Sequence, residues 1–397
     1  MPFRTLNDFN FDNKKVLLRV DYNVPLDALG NIESDKRISA SVPTIKFLVK
    51  HNAKVIIISH LGRPEAAEKE LRMNKVAERL SSLIGRPVKK LDKCTGRIIE
   101  DYISDMEPGD VIMLENIRFY PEETSPDDLT RENFAQKLSS LADYYVNDAF
   151  AVSHRKNASV YDITKFLPSA AGLLMEKEIS MLSKILNPDK PFYAIIGGVK
   201  ISDKISVINN LLNKADKILL GGAMIFTFYK SKGYEIGKSI VENDKLNLAT
   251  LLIKNPNIVL PKDVVVAKDN REDAEYKTVD YNKMIPGYIG LDIGPKTIEE
   301  YKGILKNAKT IVWNGPLGRF EFKNFSKGTN EIAKFLATLK ANVVVGGGDT
   351  GSAVAKLGIA EKFFVSTGGG AALEFLEGTK LPGIKALEVN YEKFNKQ

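Results

Sequence analysis

This sequence predicts an α/β protein of two domains, each a parallel sheet layered between helices. The first support is length, because at 397 residues the chain exceeds the size at which a single hydrophobic core stops growing. The second is the recurrence of short apolar runs rich in β-branched residues, each ending in polar residues or glycine, as expected of strands buried on both faces. The third is that stretches with apolar residues three and four positions apart lie between most of those runs. Strand, helix and strand in series give parallel pairing with helices on both faces of the sheet.

In the first half the strand runs are residues 15–20, 53–58, 111–114 and 144–146, with helical patterns at 72–84 and 131–142. In the second half they are 192–196, 217–220, 264–267, 310–313, 342–345 and 362–365, with helical patterns at 204–213, 330–339 and 351–357. Residues 170–186 read as one long helix carrying Leu173, Leu174, Ile179, Leu182 and Ile185, stopped by Asn187 and Pro188. That helix is expected to join the domains, giving a first domain of 1–169, a connector of 170–187 and a second domain of 188–380.

Hydrophobic residues at 44% and charged residues at 27% are ordinary globular composition and argue against extensive disorder. The net charge of +7 is spread along the chain without a block of like charges. It suits an anionic ligand and leaves a basic RNA-binding module as one alternative. Cys94 is the only cysteine, and His51, His60 and His154 are scattered. An intramolecular disulfide and a cysteine-based zinc site are therefore excluded, and a reducing compartment fits best. With no signal-type stretch at the start and no 18-residue apolar run, a soluble cytoplasmic protein is expected.

The two halves differ in the residues at the ends of their strands. Arg19, Arg37, His60, Arg63, Arg118, His154 and Arg155 mark the first half, whereas the second carries glycine pairs and triplets at 197–198, 221–222, 346–348 and 368–370. Ligands of open α/β sheets bind beyond the carboxyl ends of the strands. One cationic surface and one surface built of backbone amides are therefore expected.

Val343, Val344 and Val345 run into Gly346, Gly347, Gly348, Asp349 and Thr350, just before a helical pattern. Glycines there let a phosphate approach bare N–H groups at a helix N-terminus, and Asp349 supplies the hard oxygen that Mg²⁺ prefers. Gly346, Gly348 and Gly351 also fit a dinucleotide fingerprint. That fingerprint requires an acidic residue about 20 positions on, where Ser366, Thr367 and three glycines stand instead, so a nicotinamide dehydrogenase is a disfavoured alternative. Gly237, Lys238 and Ser239 imitate the end of a Walker A loop, but Lys232 replaces the required earlier glycine, and the run is given no phosphate role. In the stretch from Gly197 to Lys204, Lys200 and Lys204 stand four apart, a spacing that on a helix places both ammonium groups on one face toward adjacent phosphates.

In the first half, Arg19 to Pro25 reads RVDYNVP, with Asp21 and Asn23 alternating onto one side, able to bond a hydroxylated substrate. An Asp21–Arg19 structural pair is the competing reading. His60 with Arg63, and Arg118, end two further strands. Guanidinium forks match carboxylate and phosphate bidentately, so several in one place specify a small polyanion.

With these motifs in view the chain resembles the phosphoglycerate kinase family nearly end to end. The resemblance rests on RVDYNVP from Arg19, HLGRP from His60, LENIRF from Leu114, NDAF from Asn147 with His154 and Arg155, and GGVKISDK from Gly197. LDIGPKT from Leu291, WNGPLGRFE from Trp313, GGGDT from Gly346 and STGGGA from Ser366 complete it. It implies two Rossmann-like lobes with a cleft between and residues 381–397 packing back on the first; separately from the resemblance, a monomer is expected. It also implies phosphoryl transfer between 1,3-bisphosphoglycerate with ADP and 3-phosphoglycerate with ATP, using Mg²⁺. By motif match, Asp21, Asn23, Arg37, His60, Arg63, Arg118 and Arg155 are the implied 3-phosphoglycerate contacts. Lys204, Gly294, Glu321, Gly347, Gly348, Asp349 and Thr350 are the implied nucleotide contacts, Asp349 serving the metal, with Gly221, Gly222 and Leu291 about the adenine. Arg37, Lys200, Gly369 and Gly370 are implied to stabilise the transferred group. The sequence departs from the family pattern at Val199, Arg319 and Asn157.

Overall fold

The structure, a computed structural model, describes residues 2–395. The chain divides into two compact units, one of Met1–Ile179 with Lys380–Gln397 and one of Ser180–Thr379.

The first unit is built on six strands, β1 (Lys15–Arg19), β2 (Lys54–Ile58), β3 (Lys89–Lys90), β4 (Val111–Met113), β5 (Tyr144–Asn147) and β6 (Ser169–Ala171). They form one parallel sheet in the order β3-β4-β2-β1-β5-β6. Successive strand residues serve opposite faces. Val16, Leu18, Val55 and Ile57 join one apolar cluster with Ile45, Leu48, Val76 and Leu80, from the helices Lys36–Lys50 and Asn74–Ile84. Leu17, Ile56, Ile58 and Ile112 join the other, with Ile99, Phe134 and Leu138 from the helices Arg97–Ser104 and Asp128–Ser139. Both faces being covered explains why these strands read as continuous apolar runs.

The helix Lys36–Lys50, which contains Pro43, was not foreseen, because an internal proline argues against helix. The long helix also needs correcting. Residues 169–171 are β6, paired with β5 through Tyr145↔Ser169, Val146↔Ala170 and Asn147↔Ala171, and the helix is Leu173–Leu186. Its first turn is held by Asp148, whose Oδ1 accepts from the amides of Leu174 at 2.9 Å and Met175 at 3.1 Å. Burial pushes the Asp148 carboxyl up to about 6. The division between units falls inside this helix, between Ile179 and Ser180, rather than at its two ends. The helix Pro382–Phe394 belongs to the first unit. There the buried Asn390 accepts from Ser169 N at 2.9 Å and donates to the carbonyls of Thr164 at 2.6 Å and Leu167 at 2.8 Å.

The second unit contains β7 (Phe192–Ile196), β8 (Lys217–Leu220), β9 (Ile258–Val259), β10 (Asp263–Ala267), β11 (Tyr276–Asp280), β12 (Ile289–Ile293), β13 (Thr310–Asn314), β14 (Asn342–Gly346) and β15 (Phe364–Val365). Six make a parallel sheet in the order β15-β14-β13-β7-β8-β9. The expected strand at 264–267 does not belong to it. As β10 it is the centre of a separate three-stranded antiparallel sheet, β11-β10-β12. An apolar run signals burial but not its partner, and β11 gave no signal because Tyr276, Lys277 and Thr278 are exposed.

In the second sheet the chain leaves the central β7 toward β8 and β9 and returns on the other side with β13. The ends of β7 and β13 thus flank the point where strand order reverses, the position at which such sheets bind ligands.

Candidate functional site

In the first unit, parallel strands deliver their carboxyl ends to one edge, and the placement of the cationic residues is a consequence. Asp21 and Asn23 come after β1, His60 and Arg63 after β2, Arg118 after β4, and Arg155 lies in the segment after β5. Arg37 enters from the first turn of the helix Lys36–Lys50 and forms an ion pair with Asp21. Asn23 Oδ1 accepts from Gly62 N at 2.8 Å, and Arg118 donates to the Gly62 carbonyl at 2.6 Å. Asn23 and Arg118 are thereby tied to the same glycine, next to Arg63. Arg63 and Arg155 are exposed, and Arg155 contacts His154 Nε2 through its Nε at 3.1 Å.

His60 is buried among these cations, 3.8 Å from Asp21 Oδ1 and 3.4 Å from the Arg19 guanidinium. A guanidinium only donates, so Nδ1 accepts and the proton of the neutral ring lies on Nε2. Burial first, then the charges of Arg19, Arg118, Arg37 and Arg155, hold His60 well below the usual histidine range. It therefore offers a neutral N–H donor. Burial together with Arg19 and Arg155 also pushes Arg118 down to about 10, still protonated at neutral pH. Like charges gathered without enough acid to neutralise them make a trap for an anion.

Arg19 resolves to neither sequence reading. It does not pair with Asp21; it is fully buried, donates from Nε to Ser159 Oγ at 2.8 Å, and lies 3.9 Å from the buried Glu123. Asn157, one of the departures, is buried beside Glu123. Sequence reasoning missed Glu123, in the single 3-10 turn Pro121–Thr124, and Ser159, in a turn, neither of which carries a strand or motif signal.

In the second unit a cavity of about 380 Å³ is lined by Gly198, Val199, Asp203, Lys204, Gly222, Ile240, Leu291, Pro316, Arg319, Glu321 and Asp349, among others. Predicted residues Lys204, Gly222, Leu291, Glu321 and Asp349 come together there. Gly221, Gly294, Gly347, Gly348 and Thr350 do not line it. A Cβ at Gly221 would lie 2.4 Å from Leu317, and one at Gly294 would lie 2.3 Å from the Asp263 carboxyl carbon, so both serve close packing. Thr350 is buried and accepts from Gly315 N at 2.8 Å. Gly347, at φ +87°, begins the helix Gly348–Lys356 as its N-cap, and Gly348 and Asp349 are exposed at that N-terminus. Gly369 plays the same capping part, at φ +51°, for the helix Gly370–Leu376. Two larger hollows in the first unit, of about 800 and 650 Å³, contain only Arg118 of the predicted residues.

The two lysines need correcting. The helix begins at Ile205, after irregular backbone at 200–201 and a turn at 202–204, so Lys200 and Lys204 do not share a helical face. Lys200 is exposed. Lys204 is half-buried, donates to Asn314 Oδ1 at 2.5 Å, and is shifted down by burial. Asn314, which ends β13, was missed. Its Nδ2 is buried without a hydrogen-bond partner among the described residues, and a Cβ at Gly346 would be 3.0 Å from it. A polar residue at the end of an apolar run was the available signal. Arg319, another departure, lies 5.0 Å over the Phe322 ring and 3.7 Å from Glu321, at the cavity rim.

The phosphoglycerate kinase family model matches residues 6–379. The chain belongs to the phosphoglycerate kinase family. The phosphoglycerate kinase of Dictyoglomus turgidum is 52% identical over 391 residues, 96% of this chain and 98% of that protein. The cytosolic phosphoglycerate kinase of Triticum aestivum is 49% identical over 395 residues, 97% and 98% of the two chains. The solved phosphoglycerate kinase of Coxiella burnetii superposes with a TM-score of 0.87 at 39% identity, covering 97% of this chain and 99% of that one. This phosphoglycerate kinase family member is a phosphotransferase whose acceptor is a carboxyl group, acting on phosphoglycerate with ATP or ADP. The dehydrogenase and RNA-binding alternatives find no support in these relatives. No helix among the described residues is long and apolar enough to cross a membrane.

Proposed function

We propose that the first unit holds 3-phosphoglycerate through Asp21, Asn23, Arg37, His60, Arg63, Arg118 and Arg155, and that the second holds the nucleotide in the cavity about Gly222, Leu291 and Glu321. Its phosphates are met by Lys204, Gly347, Gly348, Asp349 and Thr350. The observation that carries this reading is the buried neutral His60 among arginines at one sheet edge, a trap for a small polyanion that also offers an uncharged donor. Arg37 and Lys200, with amides at Gly369 and Gly370, stabilise the charge spread over the transferring group. No general base is required, since the acceptor is already a carboxylate or a nucleotide phosphate.

Among the described residues no group of three His, Cys, Asp or Glu could cage a metal. The exposed carboxylate of Asp349, at the cavity and at a helix N-terminus, fits Mg²⁺ that arrives on the phosphates, the usual arrangement for this ion. When bound, Mg²⁺ neutralises phosphate charge. Direct transfer needs the reacting atoms within roughly 3–3.5 Å, and an acyl phosphate must be kept from water. The protein works as a cytoplasmic monomer.

A coupled assay tests the reading. Turnover is expected only when 3-phosphoglycerate, ATP and Mg²⁺ are all present, and undiminished turnover in excess chelator, or none with 3-phosphoglycerate, would overturn it.

A further inference from the structure

Residues 236–242 carry the Gly237, Lys238, Ser239 run that has no phosphate role, yet they strap the nucleotide cavity together. Lys238 N donates to the Tyr288 carbonyl at 2.7 Å, Ser239 Oγ accepts from Gly290 N at 2.9 Å, and Ile240 lines the cavity. Two residues on, Glu242 reaches the loop that carries both lysines. Its Oε2 accepts from Ile201 N at 2.6 Å and Ser202 N at 3.2 Å, and its Oε1 accepts from Ser202 Oγ at 2.6 Å. The Glu242 amide is itself anchored, donating to Oγ1 of the buried Thr227 at 3.1 Å.

We propose that Glu242 is a positioning residue for phosphoryl transfer, its carboxylate fixing the backbone at Ile201 and Ser202 and thereby the station of Lys200. The inference rests on the assignment of Lys200 to the transferred group. Among the described residues, the amides of residues 199–203 make no backbone–backbone hydrogen bond. Lys200 is exposed with no ion-pair partner among them. A four-carbon stem with freely turning bonds is placed only as well as its backbone is placed. Hydrogen bonds from amides and a hydroxyl to an ionised carboxylate are the stronger kind, and three on consecutive residues fix both position and orientation of the loop.

The test is steady-state kinetics of E242A, E242Q, S202A, K200A and the E242A/K200A double variant, each first checked for cooperative thermal unfolding. E242A is expected to lower kcat about 10- to 100-fold, the scale of a misplacement near 1 Å, with the KM for 3-phosphoglycerate unchanged within about twofold of wild type. E242Q, which keeps one acceptor oxygen, is expected to recover part of the loss. The double variant is expected to be no slower than K200A alone, because the two residues act on one interaction. If E242A does not fold, E242Q and S202A decide by the same kcat-against-KM split. A slow K200A beside folded clamp variants with wild-type kcat, or losses that multiply in the double variant, would overturn the positioning role alone. Full turnover by K200A would remove the Lys200 assignment, and the inference with it.

Discussion

Replacing Arg37 by alanine is expected to lower kcat on the order of 10²–10³-fold, the scale set by loss of one preorganised donor to developing charge, while the KM for 3-phosphoglycerate changes far less. Arg37 is held before any substrate arrives. Its guanidinium pairs with Asp21, and Asp21 is itself fixed by accepting from Asn23 N at 3.0 Å. The Arg37 side chain remains 34% exposed and the Asp21 side chain 9%, so the cation keeps an open side for a ligand. Interactions that strengthen only as charge moves appear in kcat rather than in binding. A lysine at position 37 is expected to recover little, because an ammonium lacks the planar fork. An unchanged kcat with only a raised KM would show that Arg37 merely binds.

The second large effect is on stability. Arg19→Met is expected to cost about 3–5 kcal/mol in urea unfolding, the cost of leaving one member of a buried ion pair alone. Arg19 and Glu123 are both fully buried, bridged by Ser159, which accepts from Arg19 and donates to Glu123 Oε1 at 2.7 Å. Burial already raises the Glu123 carboxyl despite the opposing pull of Arg19, so the acid is poorly compensated even with its partner. Removing Arg19 raises it further. A carboxyl raised in the folded state binds protons there before the unfolded chain does, so the loss should be largest at neutral pH and shrink toward pH 5. Removing both charges, in Arg19→Met with Glu123→Leu, is expected to restore much of the stability. A single variant within about 1 kcal/mol of wild type would contradict the account.

Most of the two sheets was legible because burial on both faces writes itself as unbroken apolar runs, as in Lys54–Ile58. Strands of two or three residues such as Lys89–Lys90 and Ser169–Ala171 carry too few side chains for a pattern, and the latter was absorbed into the helix behind it. Partner choice was illegible. Asp263–Ala267 looks like any parallel strand, but both of its partners, Tyr276–Asp280 and Ile289–Ile293, run antiparallel to it. At the site, arginines after strands were easy to find, since few other roles put so many there. The residues that hold them, Glu123 beneath Arg19 and Glu242 under the lysine loop, lie far away in sequence and belong to no motif. Asn314, joined to Lys204 across 110 positions, is the same case. Tertiary contact creates such roles, and spacing does not encode them.

The central claim is that two anion traps of different chemistry lie one in each unit. Amide hydrogen exchange with each ligand added singly tests it directly. With 3-phosphoglycerate alone, added protection should fall on residues 20–24, 60–63 and 116–118, and with ATP and Mg²⁺ alone on residues 198–204, 315–321 and 347–351. Protection by both ligands within the same unit, or by 3-phosphoglycerate at the glycine loops, would contradict the account.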